Sequence, residues 1–174
     1  MIAGIVAFLV ANFPLTFLAI GLVASLVAIA RAPAPRSTAL AVDRLLAWHI
    51  FFALGAQNLL NFIFHVFFGR LAASFIGWAD SPFQLEVGMA SLGFSVVAFL
   101  AAFGSFDLRL AAILGPALFS LGAAAGHVYQ MVTAHNFAPG NAGIIFYTDI
   151  FIPLFGFALL WLQRRHPTPR ARPN

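Results

Sequence analysis

Residues 2–30 read IAGIVAFLVANFPLTFLAIGLVASLVAIA, a run with no charged side chain before Arg31. About 20 mostly apolar residues, at roughly 1.5 Å each, cross the hydrocarbon of a bilayer. This run is longer than that, and its Asn12 and Pro14 mark a place where the helix kinks or tilts. A signal peptide carries a positive start and an apolar core of only about 7–15 residues. Neither feature is present, so the run reads as a retained span.

Four more segments share this character, at about 45–68, 83–106, 110–134 and 143–163. They are separated by Arg31-Ala-Pro-Ala-Pro-Arg36, by a loop from Gly69 to Ser81, by Phe106-Asp107-Leu108-Arg109, and by His135 to Ala142. In lipid each backbone N–H and C=O must find a partner within the structure itself, which predicts helices for all five. The expected fold is an all-α membrane protein: a bundle of about five transmembrane helices over residues 1–163, followed by a basic, flexible cytoplasmic tail at 164–174.

Composition agrees. Of 174 residues 62% are hydrophobic and only 8% charged, against about a quarter charged in a soluble domain; the mean hydropathy is +0.96. All nine basic residues are Arg. They are too few and too scattered to form a nucleic-acid face, so the expected partner is the lipid bilayer. The absence of Cys excludes disulfides, thiolate metal sites and Cys nucleophiles.

The Arg residues also orient the chain. With the N-terminus outside, Arg31, Arg36, Arg44, Arg109, Arg164, Arg165, Arg170 and Arg172 fall on the cytoplasmic side and Arg70 alone on the other. That asymmetry is the positive-inside pattern. It predicts a multi-pass protein of the cell inner membrane, with the tail near anionic headgroups. Trp78 with Phe75 and Ile76 reads as a segment lying at the outer interface, and Trp161 as a marker of the inner one.

In this topology the polar side chains collect near the outer face. His65 and Glu86 each lie one turn inside the outer end of their helices, and His127 and Asp149 flank the last loop at equal height. Asn61, Arg70, Asp80, Gln84, Gln130 and His135 belong to the same third of the protein, whereas the inner half offers chiefly His49, read as a satisfied packing residue. A carboxylate inside a span is costly, so Asp149 should face the bundle interior and find a partner, with His127 nearest in height. Asn58, Asn61 and His65 repeat at three and four residues and stack on one helix face. Gly122-Ala-Ala-Ala-Gly126, just before His127, has the small-residue spacing that lets another backbone approach. Pro153 removes the amide that would bond the Asp149 carbonyl.

Each feature has a structural reading beside the functional one. Ser81-Pro82-Phe83-Gln84 fits a capping box, Asp80 and Glu86 suit a helix N-terminus, and His135, Asn136 and Pro139-Gly140-Asn141 suit a turn. His127 and Asp149 together form either a hydrogen-bonded lock on the last hairpin or the centre of a site.

Four functions remain open at this level. His65, Glu86, His127 and Asp149 offer two imidazoles and two carboxylates, a set suited to a zinc, manganese or iron ion. His65 and His127 permit haem ligation, with Arg70 near a propionate. The same polar groups suit the head of a small amphiphile such as a quinone, held between Phe-rich walls. The fourth is an accessory subunit of a membrane complex, a homo-oligomer or a small transporter. No nucleophile elbow, phosphate loop or redox motif singles out an enzyme.

Three blocks carry a family likeness: Gly77-Trp-Ala-Asp-Ser-Pro-Phe-Gln-Leu-Glu-Val-Gly88, Gly126-His-Val-Tyr-Gln-Met131, and Asn136-Phe-Ala-Pro-Gly-Asn-Ala-Gly143 followed by Asp149. Over roughly residues 45–163 the chain resembles a family of small bacterial polytopic membrane proteins of unknown function. The resemblance implies a bacterial inner-membrane protein and brings no catalytic residues. A fainter similarity to DoxX-like membrane proteins rests on size and hydropathy.

Overall fold

The computed structural model describes residues 2–167. The part of the basic tail beyond 167, with Arg170 and Arg172, lies outside the described residues. Every regular element among them is helical.

The first apolar run is two helices, not one: α1 (Ile2–Ala11) and α2 (Phe13–Arg31). Pro14 sits in the first turn of α2, where its missing N–H is tolerated. Polar side chains serve the break, as Asn12 Nδ2 donates to the Phe8 carbonyl and Thr16 Oγ1 to the Leu9 carbonyl, each at 2.9 Å. Next comes α3 (Thr38–Phe67), which starts ahead of its apolar core. Ser37 starts it, its hydroxyl accepting from the Leu40 amide. The middle of α3, His49–Ala56, is wound as π-helix.

A short α4 (Gly69–Ile76) ends at Gly77, whose φ of +75° favours glycine. It is followed by α5 (Phe83–Ala101), α6 (Phe106–Thr133), a single turn α7 (Pro139–Ala142) and α8 (Ile144–Arg165). Ser105 caps α6 and Asp107 lies in its first turn, where a carboxylate complements the helix dipole. By length and apolarity five helices are able to cross a membrane: α2, α3, α5, α6, and α7 continued by α8.

The long helices alternate in direction, so their ends fall into two groups. At one end Arg109 is buried and donates to Asp43 Oδ1 at 2.8 Å and to the Ala102 carbonyl at 2.9 Å. Beside it Arg164 lies over the Phe106 ring, and Arg36 donates to the Ala30 carbonyl at the last turn of α2. Arg31, Arg36, Arg44, Arg109, Arg164 and Arg165 thus share one end. Arg70 lies at the other, on α4.

The hydrophobic core belongs mainly to the Arg-rich half. Leu46, Ile50, Ala98, Ala101, Ala102, Ala112, Ile113 and Leu159 are buried there and packed together. His49 is buried among them, but it is not the satisfied residue the sequence suggests. Neither ring nitrogen has a hydrogen-bond partner among the described residues, and the ring sits edge-on to Phe155. The close approach expected along Gly122–Gly126 is only half present: Gly126 faces the Trp78 ring, while Gly122 faces open space.

Candidate functional site

The half opposite the Arg cluster contains a cavity of about 510 Å³. Its polar wall begins on the last turns of α3. Asn58, Asn61 and His65 lie on one face, as their spacing requires, and all three line the cavity. Two side-chain bonds tie this face to α5: Asn61 Nδ2 donates to Ser91 Oγ at 2.9 Å, and the His65 ring bonds Gln84 Oε1 through Nδ1. The helices meet closely here because Gly88 lies between those contacts; a Cβ on it would fall 2.5 Å from Val66 Cγ2.

Opposite stand His127 from α6 and Asp149 from α8, with Nε2 and Oδ2 3.5 Å apart. Asn141, on α7, holds this pair and is fully buried. Its Nδ2 donates to the carbonyls of His127 and Asn136, at 3.2 and 2.9 Å. Two carbonyls can only accept, so the amide orientation is determined and Asn141 Oδ1 must be the acceptor. It receives the Trp78 indole N–H at 3.1 Å and His127 Nδ1 at 2.8 Å. His127 therefore carries a proton on Nδ1 and turns Nε2 to Asp149. All four hydrogen-bonding positions of the Asn141 amide are used, an expected condition for a buried polar group.

A second network fastens this roof. Asn136 Nδ2 donates to the carbonyls of Ile76 and Gly77, and its Oδ1 accepts from the Ala138 amide. The α6–α7 loop is thereby sewn to the end of α4. Phe75, Ile76 and Trp78 consequently line the cavity, while Trp78 keeps an exposed side. An amphipathic segment declares its apolar face in sequence but not what that face meets, which is why lipid was the expectation.

The remaining expected residues divide. Arg70 and Asp80 are exposed and line a separate space of about 490 Å³ at the end of α3. His65, Leu71, Ser81 and Gln84 line both spaces. The capping box at Ser81–Gln84 does not form, because the Gln84 side chain reaches His65 and the α5 N-terminus has no side-chain cap. Glu86 is exposed and lines neither space. Gln130 contributes only its carbonyl, which accepts from Ala134 and Asn136. His135 is an exposed residue of left-handed backbone just past the end of α6.

These placements bear on the ligands considered above. No group of three or more His, Asp or Glu side chains able to hold one ion exists among the described residues. The four-residue metal set is corrected accordingly: Glu86 points elsewhere, because its position on α5 is off the face that packs on α3. Haem ligation fits poorly too, since both His127 nitrogens already face partners. From sequence, Asn141 and Trp78 read as turn and interface residues and Ser120 lies seven residues before His127 on a polar stripe, while Gln57 gives no signal. All four line the cavity or position what does. A buried Asn next to a long apolar segment was the available signal.

An all-helical bundle with five helices long and apolar enough to cross a membrane, and a mostly apolar cavity in one end, fits the class of multi-pass membrane proteins. The chain belongs to a family described as a family of unknown function, DUF6790, whose model matches residues 11–169. Nothing matches among curated proteins or solved structures.

Proposed function

We propose that this protein binds a small amphiphilic molecule drawn from the bilayer, with its polar head at His127, Asp149, Asn61 and His65. The carrying observation is the shape and chemistry of the 510 Å³ cavity: polar side chains on two facing walls, and Phe13, Phe64, Phe75, Ile76 and Phe119 around the rest. Ligand sites are typically cavities of this size, mostly apolar with a few convergent polar groups. One side of the cavity is bounded by Ala7, Val10 and Ala11 of α1, a helix with no buried residue. That is the side through which a lipid-soluble molecule would pass.

In this reading His127 and Asp149 act on the head group as a hydrogen-bonding pair, with Asn141 keeping the imidazole in one tautomer. The protein sits in a bacterial inner membrane with its Arg-rich end in the cytoplasm and the cavity facing the periplasm. The Arg asymmetry supports that orientation.

The test is to purify the protein in mild detergent, identify retained molecules by native mass spectrometry, and repeat with Ala123→Phe, which places a ring in the cavity. The wild type is expected to retain about one amphiphile per chain and the variant none. Equal retention of ordinary phospholipid by both overturns the proposal. Quenching of tryptophan fluorescence by decylubiquinone, present in the wild type and lost in Ala123→Phe, would narrow the ligand to a quinone.

A further inference from the structure

Beneath the amphiphile cavity, toward the protein centre, lies a much smaller space of about 10 Å³. That is close to the room needed by one water or one small ion. Its polar lining is Gln57 and Asn58 from α3, Ser120 from α6, and Thr148 and Asp149 from α8.

We propose that this space is a binding site for a single monovalent cation of sodium size. Oxygen lone pairs dominate what the lining can offer. Asn58 is 6% exposed, and its Nδ2 donates to the Leu54 carbonyl at 2.8 Å and to Gln57 Oε1 at 3.4 Å. Those two acceptors set the amide orientation, and no donor among the described residues reaches the Asn58 oxygen. Thr148 spends its one hydroxyl proton on the Ile144 and Ile145 carbonyls, which leaves its oxygen only able to accept. His127 Nε2 faces Asp149 Oδ2 at 3.5 Å, and no donor among the described residues reaches Oδ1. Pro153 also borders the space and has no N–H to return to the Asp149 carbonyl.

A water has two protons, fewer than these acceptors. A cation takes lone pairs from several of them at once. Hard cations take oxygen ligands, and in membrane proteins ion sites of this sort form near the middle of the bilayer where helices are interrupted. The π-helical stretch of α3 ends at Ala56, immediately before Gln57 and Asn58. Charge limits the valence: Asp149 is the only carboxylate in the lining and already faces His127, so the lining has no charge to balance a divalent ion. The site does not depend on the amphiphile, though the two spaces share Gln57, Asn58, Ser120 and Asp149 and, of the polar lining, only Thr148 belongs to the smaller one alone.

The test uses the full protein in detergent or nanodiscs, prepared in choline chloride. Choline is replaced by NaCl, LiCl or KCl at constant ionic strength, and the unfolding temperature is followed by intrinsic fluorescence. A saturable rise of Tm in NaCl, larger than in KCl, is expected. Thr148→Val and Ser120→Ala keep the size of the side chains, so both should fold with the choline Tm of the wild type and lose most of the sodium response. Equal Tm in choline and sodium, the result for a site holding water alone, overturns the proposal. So does a sodium response that survives unchanged in both variants.

Discussion

The same helices build two unlike halves. Toward the Arg-rich end α3, α5, α6 and α8 meet through Ala98, Ala101, Ala102 and Ala112 against Leu46, Ile50, Ile113 and Leu159. Toward the other end α3 and α5 stay close at Gly88, but about 510 Å³ of cavity opens beside them, and hydrogen bonds at Asn61, His65, His127 and Asn141 add to the contacts. Without a hydrophobic force between helices in lipid, association relies on close packing and polar contacts. This protein assigns the first to one half and the second to the other. Small residues let backbones close up and exclude any ligand. Polar residues hold helices at a distance and leave groups to meet one.

If that division is right, the largest loss of stability should come from the tight end. Arg109→Ala removes both hydrogen bonds of a buried guanidinium and leaves Asp43 with only Arg44, 3.8 Å away. Breaking a buried pair from one side costs about 3–5 kcal/mol. Denaturant titration in mixed micelles measures it, and a loss under about 1 kcal/mol would mean that this end is not the stabilising half.

A smaller effect with a local signature is expected for Asn141→Ala. The Trp78 indole and His127 Nδ1 lose their shared acceptor, at about 1–3 kcal/mol for polar groups left unsatisfied. Trp78 emission should shift red as the roof loosens, while the Arg-rich end keeps its hydrogen-exchange protection. Protection lost equally at both ends would show that the halves unfold as one.

The least effect belongs to Gly122→Leu. A Cβ there meets nothing within 4 Å, so the change should stay within about 0.5 kcal/mol. Light scattering of the detergent complex checks the oligomeric state at the same time. A large shift in either quantity would place a partner on this face.

Much of the architecture was legible before any coordinates. Long uncharged runs form helices long and apolar enough to span a membrane, and an Asp within one must find company, as Asp149 does in His127. Equal distance from one loop was enough to pair them, because both helices rise by the same step per residue. Glu86 shows where such reasoning ends. Its depth matched, but depth says nothing about angle around the helix, and that angle turns it outward. The first run illustrates the same limit along the axis, since Pro14 announced a kink and the chain made a break between two helices.

The amino-acid sequence by itself determined that the chain carries five helices long and apolar enough to cross a membrane, and that most of the Arg residues gather at the end opposite His65, His127 and Asp149. These follow from transfer energies and helical rise, which are local. Only the tertiary structure decided that Asn141 and Trp78 belong to the site, that Glu86, Gln130 and His135 do not, and that a cavity exists at all. Those outcomes depend on how helices rotate and separate when packed, and no single segment encodes its neighbour's angle.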